Sequence, residues 1–242
     1  MPRYAIFSDI HSNIEALDAA LALTRDDDKL LCLGDIVGYG PNPNECVAKI
    51  RDLCTAAVLG NHDVAAIDNF GLAYFNPAAR EAMRWTQRVI NAESKEWLNS
   101  LGYEFRMPEF LLVHGAPKNY FEYILDKAGA GRAFAATDAP IVFIGHTHIA
   151  EYYSLSADGS IGHKHLQQGG EVALEPGVRY IVNVGSVGQP RDLNPRASFG
   201  LYDSDARTVN IVRFDYAISR VQEKIVSAHL PEALARRLLV GR

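Results

Sequence analysis

Five short motifs hold the residues best able to do chemistry: Asp9-Ile10-His11, Gly34-Asp35, Gly60-Asn61-His62-Asp63, His114-Gly115 and Gly145-His146-Thr147-His148. Five of the eight histidines in the chain fall within them. Aspartate and neutral histidine are oxygen and nitrogen ligands suited to manganese, iron, zinc or nickel, and two such ions about 3.5–4 Å apart need a shared anion to relieve their repulsion. Asp35 is the candidate for that bridge. Asp9/His11 and His146/His148 each place two side chains two residues apart, a spacing that turns both into one cavity where the backbone is extended. Asn61 and His114 are candidates to complete the set, which leaves His62 as a spare histidine. Taken singly, Asp-x-His, Gly-Asp and His-Gly carry little information. Their common position after apolar strands is what gives them weight.

The surrounding pattern shows what must position these residues. Residues 4–8 read as a buried strand, followed by a helix opened by Ser12 and Glu15 as an S-x-x-E capping box, with Ile14, Leu17 and Leu21 on one face. Residues 30–33 form a second apolar strand ending at Gly34-Asp35, a helix starts at Asn42-Pro43 with proline in its first turn, and 55–59 is a third strand. Strand, helix, strand, helix, strand in that order predicts a mostly parallel sheet covered on both faces. Ligands of such sheets bind beyond the carboxyl ends of the strands, where the motifs fall. Residues 64–108 break the rhythm with two helices, one from Asn76-Pro77 and one over 93–101. They are expected to be an insertion covering the site in a chain, 1–242, that is otherwise one domain. Strands at 110–113 and 141–144 deliver His114 and the Gly145–His148 motif. Alternating segments at 151–155, 162–166, 180–184, 199–202 and 208–214 predict a second, largely antiparallel sheet. Two amphipathic helices follow, near 217–228 and 231–239.

Composition bounds the functional class. A chain of 242 residues, 48% hydrophobic and 22% charged, matches an ordinary globular protein with a sizeable core. A net charge of -5 and a pI near 5.9 argue against a surface built to hold nucleic-acid backbone. Cys32, Cys46 and Cys54 are odd in number and lack C-x-x-C spacing, so neither a disulfide framework nor a thiolate metal site is implied. No apolar run suits a signal peptide or a membrane span. The expectation is a cytoplasmic protein with a small-molecule substrate and no membrane or stable nucleic-acid partner.

In this order D-x-H, G-D, G-N-H-D, H-G and G-H-T-H resemble the calcineurin-like metallophosphoesterase superfamily, over residues 3–187. The resemblance implies an α/β fold, a four-layer α/β/β/α sandwich of two mixed sheets flanked by helices. It also implies two divalent metal ions, manganese first, with iron, zinc or nickel as alternatives. Carried over motif by motif, it places Asp9, His11 and His148 on one ion and Asn61, His114 and His146 on the other. Asp35 would bridge them and His62 would bind no metal. Two dications would clamp a phosphoester and acidify a bridging water, so that hydroxide attacks and no side-chain nucleophile is needed. His62, with an ordinary pKa near ~6.5, is suited to protonate the leaving oxygen as general acid. Its plainer alternative is packing against the cluster.

Gly38 and Tyr39 stand where the G-D-x-V-D-R-G pattern of serine/threonine protein phosphatases has Asp and Arg. The missing guanidinium removes a phosphate clamp, and the missing carboxylate removes an orienting partner for His62. The chain is instead similar to small bacterial and archaeal phosphodiesterases, a branch that Asn183-Val184-Gly185-Ser186-Val187-Gly188-Gln189-Pro190-Arg191 fits. Asn61, His62, Tyr39 and Arg191 are the expected substrate contacts, with a surface salt bridge as the other reading of Arg191. Tyr39, Phe70, Tyr74, Phe75, Tyr120, Phe121 and Tyr123 are suited either to stack a base or aryl group or to pack the insertion. The expectation is a phosphodiesterase for small nucleotide-like or aryl diesters. The alternatives are a phosphomonoesterase or protein phosphatase, a domain sensing metal or nucleotide, and a non-catalytic scaffold similar to the small retromer subunit, which lacks the histidine kept here at 62.

Overall fold

Alternation along the first strand sets the layers of the molecule. Strand β1 (Arg3–Phe7) sends Tyr4 and Ile6 to one face and Ala5 and Phe7 to the other, and all four are buried. In the computed structural model, which describes residues 3–242, the chain continues through α1 (Ile14–Leu21), β2 (Lys29–Cys32), α2 (Pro43–Leu53), β3 (Ala56–Ala57) and α3 (Asn61–Asp68). A 3-10 turn (Leu72–Tyr74), α4 (Pro77–Val89), α5 (Ala92–Asn99), β4 (Glu104–Arg106), β5 (Phe110–Val113), α6 (Lys127–Ala135) and β6 (Ile141–Ile144) come next. The remainder is β7 (Ala150–Leu155), β8 (Ile161–His165), β9 (Gly170–Ala173), β10 (Arg179–Val184), β11 (Ala197–Asp203), β12 (Thr208–Phe214), α7 (Ile218–Ser227) and α8 (Glu232–Arg237).

Two six-stranded mixed sheets result, in the orders β3-β2-β1-β11-β12-β9 and β4-β5-β6-β10-β7-β8. Tyr4 and Ile6 join Leu31, Phe110, Phe143 and Val182 in the layer between the sheets. Ala5 and Phe7 face the other way, onto Leu17 of α1 and Val47 and Ile50 of α2. On the far side, Val142, Ile144 and Ile181 meet Ala130, Ala133 and Phe134 of α6. These contacts make the four-layer sandwich.

The separate antiparallel sheet expected from the later strands does not form. β11, β12 and β9 extend the first sheet antiparallel from β1, and in the second sheet the parallel strands β5, β6 and β10 are flanked by antiparallel β4 on one side and β7 and β8 on the other, so both sheets are mixed. A strand buried on both faces reads the same whether a helix or another sheet covers it, which is why the pattern did not separate these cases. Two local expectations also change. Asn13, not the Ser12/Glu15 box, caps α1, its Oδ1 accepting from Ala16 N at 3.1 Å, while Glu15 pairs with Lys224 of α7. The strand over 55–59 shrinks to Ala56–Ala57, and α3 begins directly at the Asn61-His62 motif.

Candidate metal centre

Strands β1, β2 and β3 run parallel in one sheet, as β5, β6 and β10 do in the other, and the loops after them carry the motifs. Those loops meet. Ligand atoms of Asp9, His11 and His148, of His11, Asp35 and His62, and of Asp35, His114 and His146 form three groups, each within 4.8 Å of one another. All seven of these residues are buried. His11 Nε2 lies 3.2 Å from His148 Nε2 and 3.7 Å from both Asp9 Oδ1 and Asp35 Oδ2. His148 Nε2 is 3.1 Å from Asp9 Oδ1, and His114 Nε2 is 3.3 Å from Asp35 Oδ2. Asp35 thus faces histidines of both outer groups.

Backbone carbonyls fix which nitrogen looks inward. His11, His114 and His148 give Nδ1–H to Val37 O (3.1 Å), Leu33 O (2.8 Å) and Gln189 O (2.6 Å), so each turns Nε2 to the centre. His146 is turned round, giving Nε2–H to Phe121 O at 3.0 Å and presenting Nδ1. Such outer hydrogen bonds fix tautomer and ring orientation in metal-binding histidines. Among the carboxylates, Asp9 Oδ2 accepts from Ser8 Oγ and His146 N, and Asp35 Oδ1 accepts from His62 N. One oxygen of each stays directed at the histidines.

Burial and charge set the protonation. Loss of water holds His146 down at about 3 and pushes His11 and His148 below their ordinary value, so that all three lone pairs are free at neutral pH. His62 falls to about 4 for the same reason, against the pull of Asp35. Burial opposes a proton on His114 too, but the adjacent Asp35 carboxylate outweighs it and raises that group to about 9. Burial likewise works against the charges of Asp9 and Asp35, yet His148 and His114 respectively keep both below the carboxylate range. Asp9 Oδ1, Asn61 Oδ1, His62 Nδ1 and His114 Nε2 are buried with no hydrogen-bond partner. Buried polar atoms in native proteins almost always have partners. Two imidazole lone pairs facing each other at 3.2 Å beside orphaned carboxylate and imidazole atoms fit divalent cations.

His62 stands apart in its surroundings. Its ring is packed by His11 (4.8 Å between centroids), Tyr39 (4.5 Å) and Phe75 (4.5 Å). A Cβ on Gly38 would lie 2.3 Å from its Nδ1, so the glycine where protein phosphatases have Asp is what leaves room for the imidazole. Arg191 lies against Tyr39, its Nη2 3.3 Å from the phenol oxygen and 2.9 Å from Gln189 Oε1. It forms no ion pair among the described residues, which removes the salt-bridge reading. Of the other aromatics, Tyr123 stacks on His146 at 3.9 Å, whereas Tyr120 stacks on Tyr103, and Phe70 and Tyr74 are exposed.

Four contributors had no role in the motif reading, although Asn183 and Ser186 lie in the quoted 183–191 segment. Asp63, within a quoted motif but given no role there, accepts from Ile36 N, Val37 N and Gly60 N and so ties two ligand loops together. Asn183 and Ser186 brace the others, Asn183 donating to Gly145 O and Thr147 Oγ1, and Ser186 to Asp9 O. Arg237 of α8 lies 6.0 Å from the Tyr39 ring, on the opposite end of the sequence from any motif. Burial and the charge of Arg191 lower it to about 10.

Fold and centre together define a metal-dependent phosphoester hydrolase, and the chain belongs to the calcineurin-like phosphoesterase superfamily, whose domain matches residues 3–207. It is 40% identical to an uncharacterised protein of Methanocaldococcus jannaschii over 98% of both chains. A crystal structure of a metallophosphoesterase from Sphaerobacter thermophilus is 39% identical, covers 99% of this chain and 100% of its own, and superposes with a TM-score of 0.89. A hypothetical protein of Pyrococcus horikoshii shares the fold at 18% identity and a TM-score of 0.79, over 100% of this chain and 99% of its own. No helix among the described residues is long and apolar enough to cross a membrane.

Proposed function

We propose that this protein is a two-metal phosphodiesterase, acting in the cytoplasm on small nucleotide-like or aryl phosphodiesters with manganese as its ion. The observation that carries the reading is the convergence of unpaired, buried oxygen and nitrogen atoms from loops of both sheets on one point. Asp9, His11 and His148 would hold one ion, Asn61, His114 and His146 the other, and Asp35 would be shared. When bound, the two cations supply the charge that grips a phosphate and acidifies water.

The rest is positioning by the chain. Carbonyls of Val37, Leu33 and Gln189 hold three imidazoles in one tautomer, and His62 N–H holds Asp35 Oδ1 so that Oδ2 faces inward. His62 would hand a proton to the leaving oxygen. Buried and neutral alone, it keeps that proton only beside an anion, which ties its acid role to a bound phosphate. Arg191 and Arg237 flank Tyr39, Arg237 giving its Nε–H to Arg242 O and neither pairing with an Asp or Glu side chain among the described residues, an arrangement suited to a phosphate-bearing substrate. Cys32, Cys46 and Cys54 are unpaired, which supports a reducing compartment.

The test is turnover by protein loaded with Mn, Ni, Zn or Mg on bis-aryl phosphates against aryl monophosphates. Faster cleavage of the diester is expected. Equal or slower cleavage overturns the diesterase assignment, and metal uptake without any turnover turns the reading to an interaction scaffold.

A further inference from the structure

The metal centre leaves three histidines unused, and two of them, His163 and His165, stand together on β8. In the β7–β8 ladder Glu151 pairs with His165 and Tyr153 with His163, so four side chains share one face of an antiparallel hairpin. Glu151 Oε2 lies 2.8 Å from His163 Nε2 and 3.1 Å from His165 Nδ1. All three donor atoms fall within 4.8 Å of one another.

The supports of this group resemble those of a built site. Glu151 is buried, only 3% exposed, while its partners grade outward, with the His163 side chain 21% and the His165 side chain 62% exposed. The buried Tyr153 points its hydroxyl at Glu151 Oε1 (3.4 Å) and stacks its ring on His163 at 4.3 Å, 5° from parallel. A buried carboxylate is costly unless hydrogen-bonded or paired with a cation, and the surrounding side chains orient both its oxygens and the nearer imidazole.

From this geometry we infer a second, mononuclear site on the β7–β8 hairpin, in which Glu151, His163 and His165 bind a zinc-like dication. Two imidazoles and one carboxylate form a zinc donor set that leaves a fourth position open, here at the exposed end beside His165. Bonds of about 2.0–2.2 Å place tetrahedral donors roughly 3.3–3.5 Å apart, so the 3.1 Å Glu151–His165 pair need open by only a few tenths of an ångström and the 2.8 Å Glu151–His163 pair by about half an ångström. One carboxylate is too few oxygens for calcium or magnesium. None of the three donors belongs to the Asp9–His148 cluster. β8 is an edge strand, and an ion here would clasp it to β7.

The experiment is equilibrium dialysis of chelator-stripped protein against micromolar Zn2+ alone, with bound zinc counted by mass spectrometry in wild type, His165→Ala and His163→Gln. His165 is largely exposed, so its alanine variant should fold as wild type does, checked by circular dichroism. Wild type is expected to bind one equivalent more than either variant, and His165→Ala to keep its phosphoesterase activity. The difference separates this site from the dinuclear reading: three against two equivalents supports both, whereas one against none supports this site and sinks the other. Equal zinc in all three proteins overturns the inference and leaves Glu151 with a plain histidine ion pair.

Discussion

Asp9, His11, Asp35, His146 and His148 all have φ between 50° and 66°, a left-handed conformation that costs an L-residue roughly 1–2 kcal/mol. Concentrated strain of this kind marks functional sites, where surrounding contacts over-determine the backbone. The ligand pairs were legible from spacing, but for the wrong geometric reason: they converge through left-handed turns, not through extended alternation. Residue spacing does not encode φ, so identities could be read while the turn could not. His62 gives the sharpest prediction at this scale. His62→Asn should retain metal and lose roughly 10²–10⁴-fold in turnover. Gly38→Ala, whose Cβ would strike His62 Nδ1 at φ +92°, should lose a comparable amount and in addition about 1–2 kcal/mol of stability. Turnover numbers and urea midpoints on the two variants check this, and wild-type turnover in Gly38→Ala would show that the imidazole position is immaterial.

At the scale of elements, α3 carries Asn61 and His62 on its first turn and is locked there by Asp63, whose oxygens take up Ile36, Val37 and Gly60 N–H groups. Asp63→Ala leaves those donors buried and unpaired, a loss of about 1–3 kcal/mol or more. It should also loosen both loops, so its metal affinity, read by titration, should fall further than that of Asp63→Asn, which keeps an acceptor oxygen. Most strands and both terminal helices were readable from periodicity alone, and α4 from periodicity together with Asn76, whose side chain caps it. α6 was not, since Gly129 and Gly131 lower its helix propensity and blur the pattern. β9, which pairs with β12 from Gly170 to Ala173, is entered through Gly169 and Gly170, both at positive φ, a bent edge that reads as a turn.

For the whole molecule, the desolvated histidines make acid sensitivity a stability question. His11, His62, His146 and His148 stay neutral when folded, while the unfolded chain protonates them near ~6.5. The unfolded state therefore binds more protons between ~6.5 and the folded values, so stability is lost as the solution is acidified through that window. Asp63, raised to about 7, and Glu151, raised by burial, act in the opposite direction but are fewer. Metal-stripped protein should thus unfold at a lower temperature near about pH 5 than at neutrality, and an equal or higher melting temperature in acid would contradict the desolvation of these imidazoles. His114, at about 9, adds a weaker loss on the alkaline side. The same architecture bears on biosynthesis. Tyr4, in the middle of its sheet, hydrogen-bonds alongside Tyr202, and Asp9 waits for His148. β2 can take one edge of the first strand early, but a ribosome must release most of the polypeptide before β11 covers the other, leaving that oily edge of the nascent chain in the care of a holdase and favouring slow, late folding over domain-by-domain assembly.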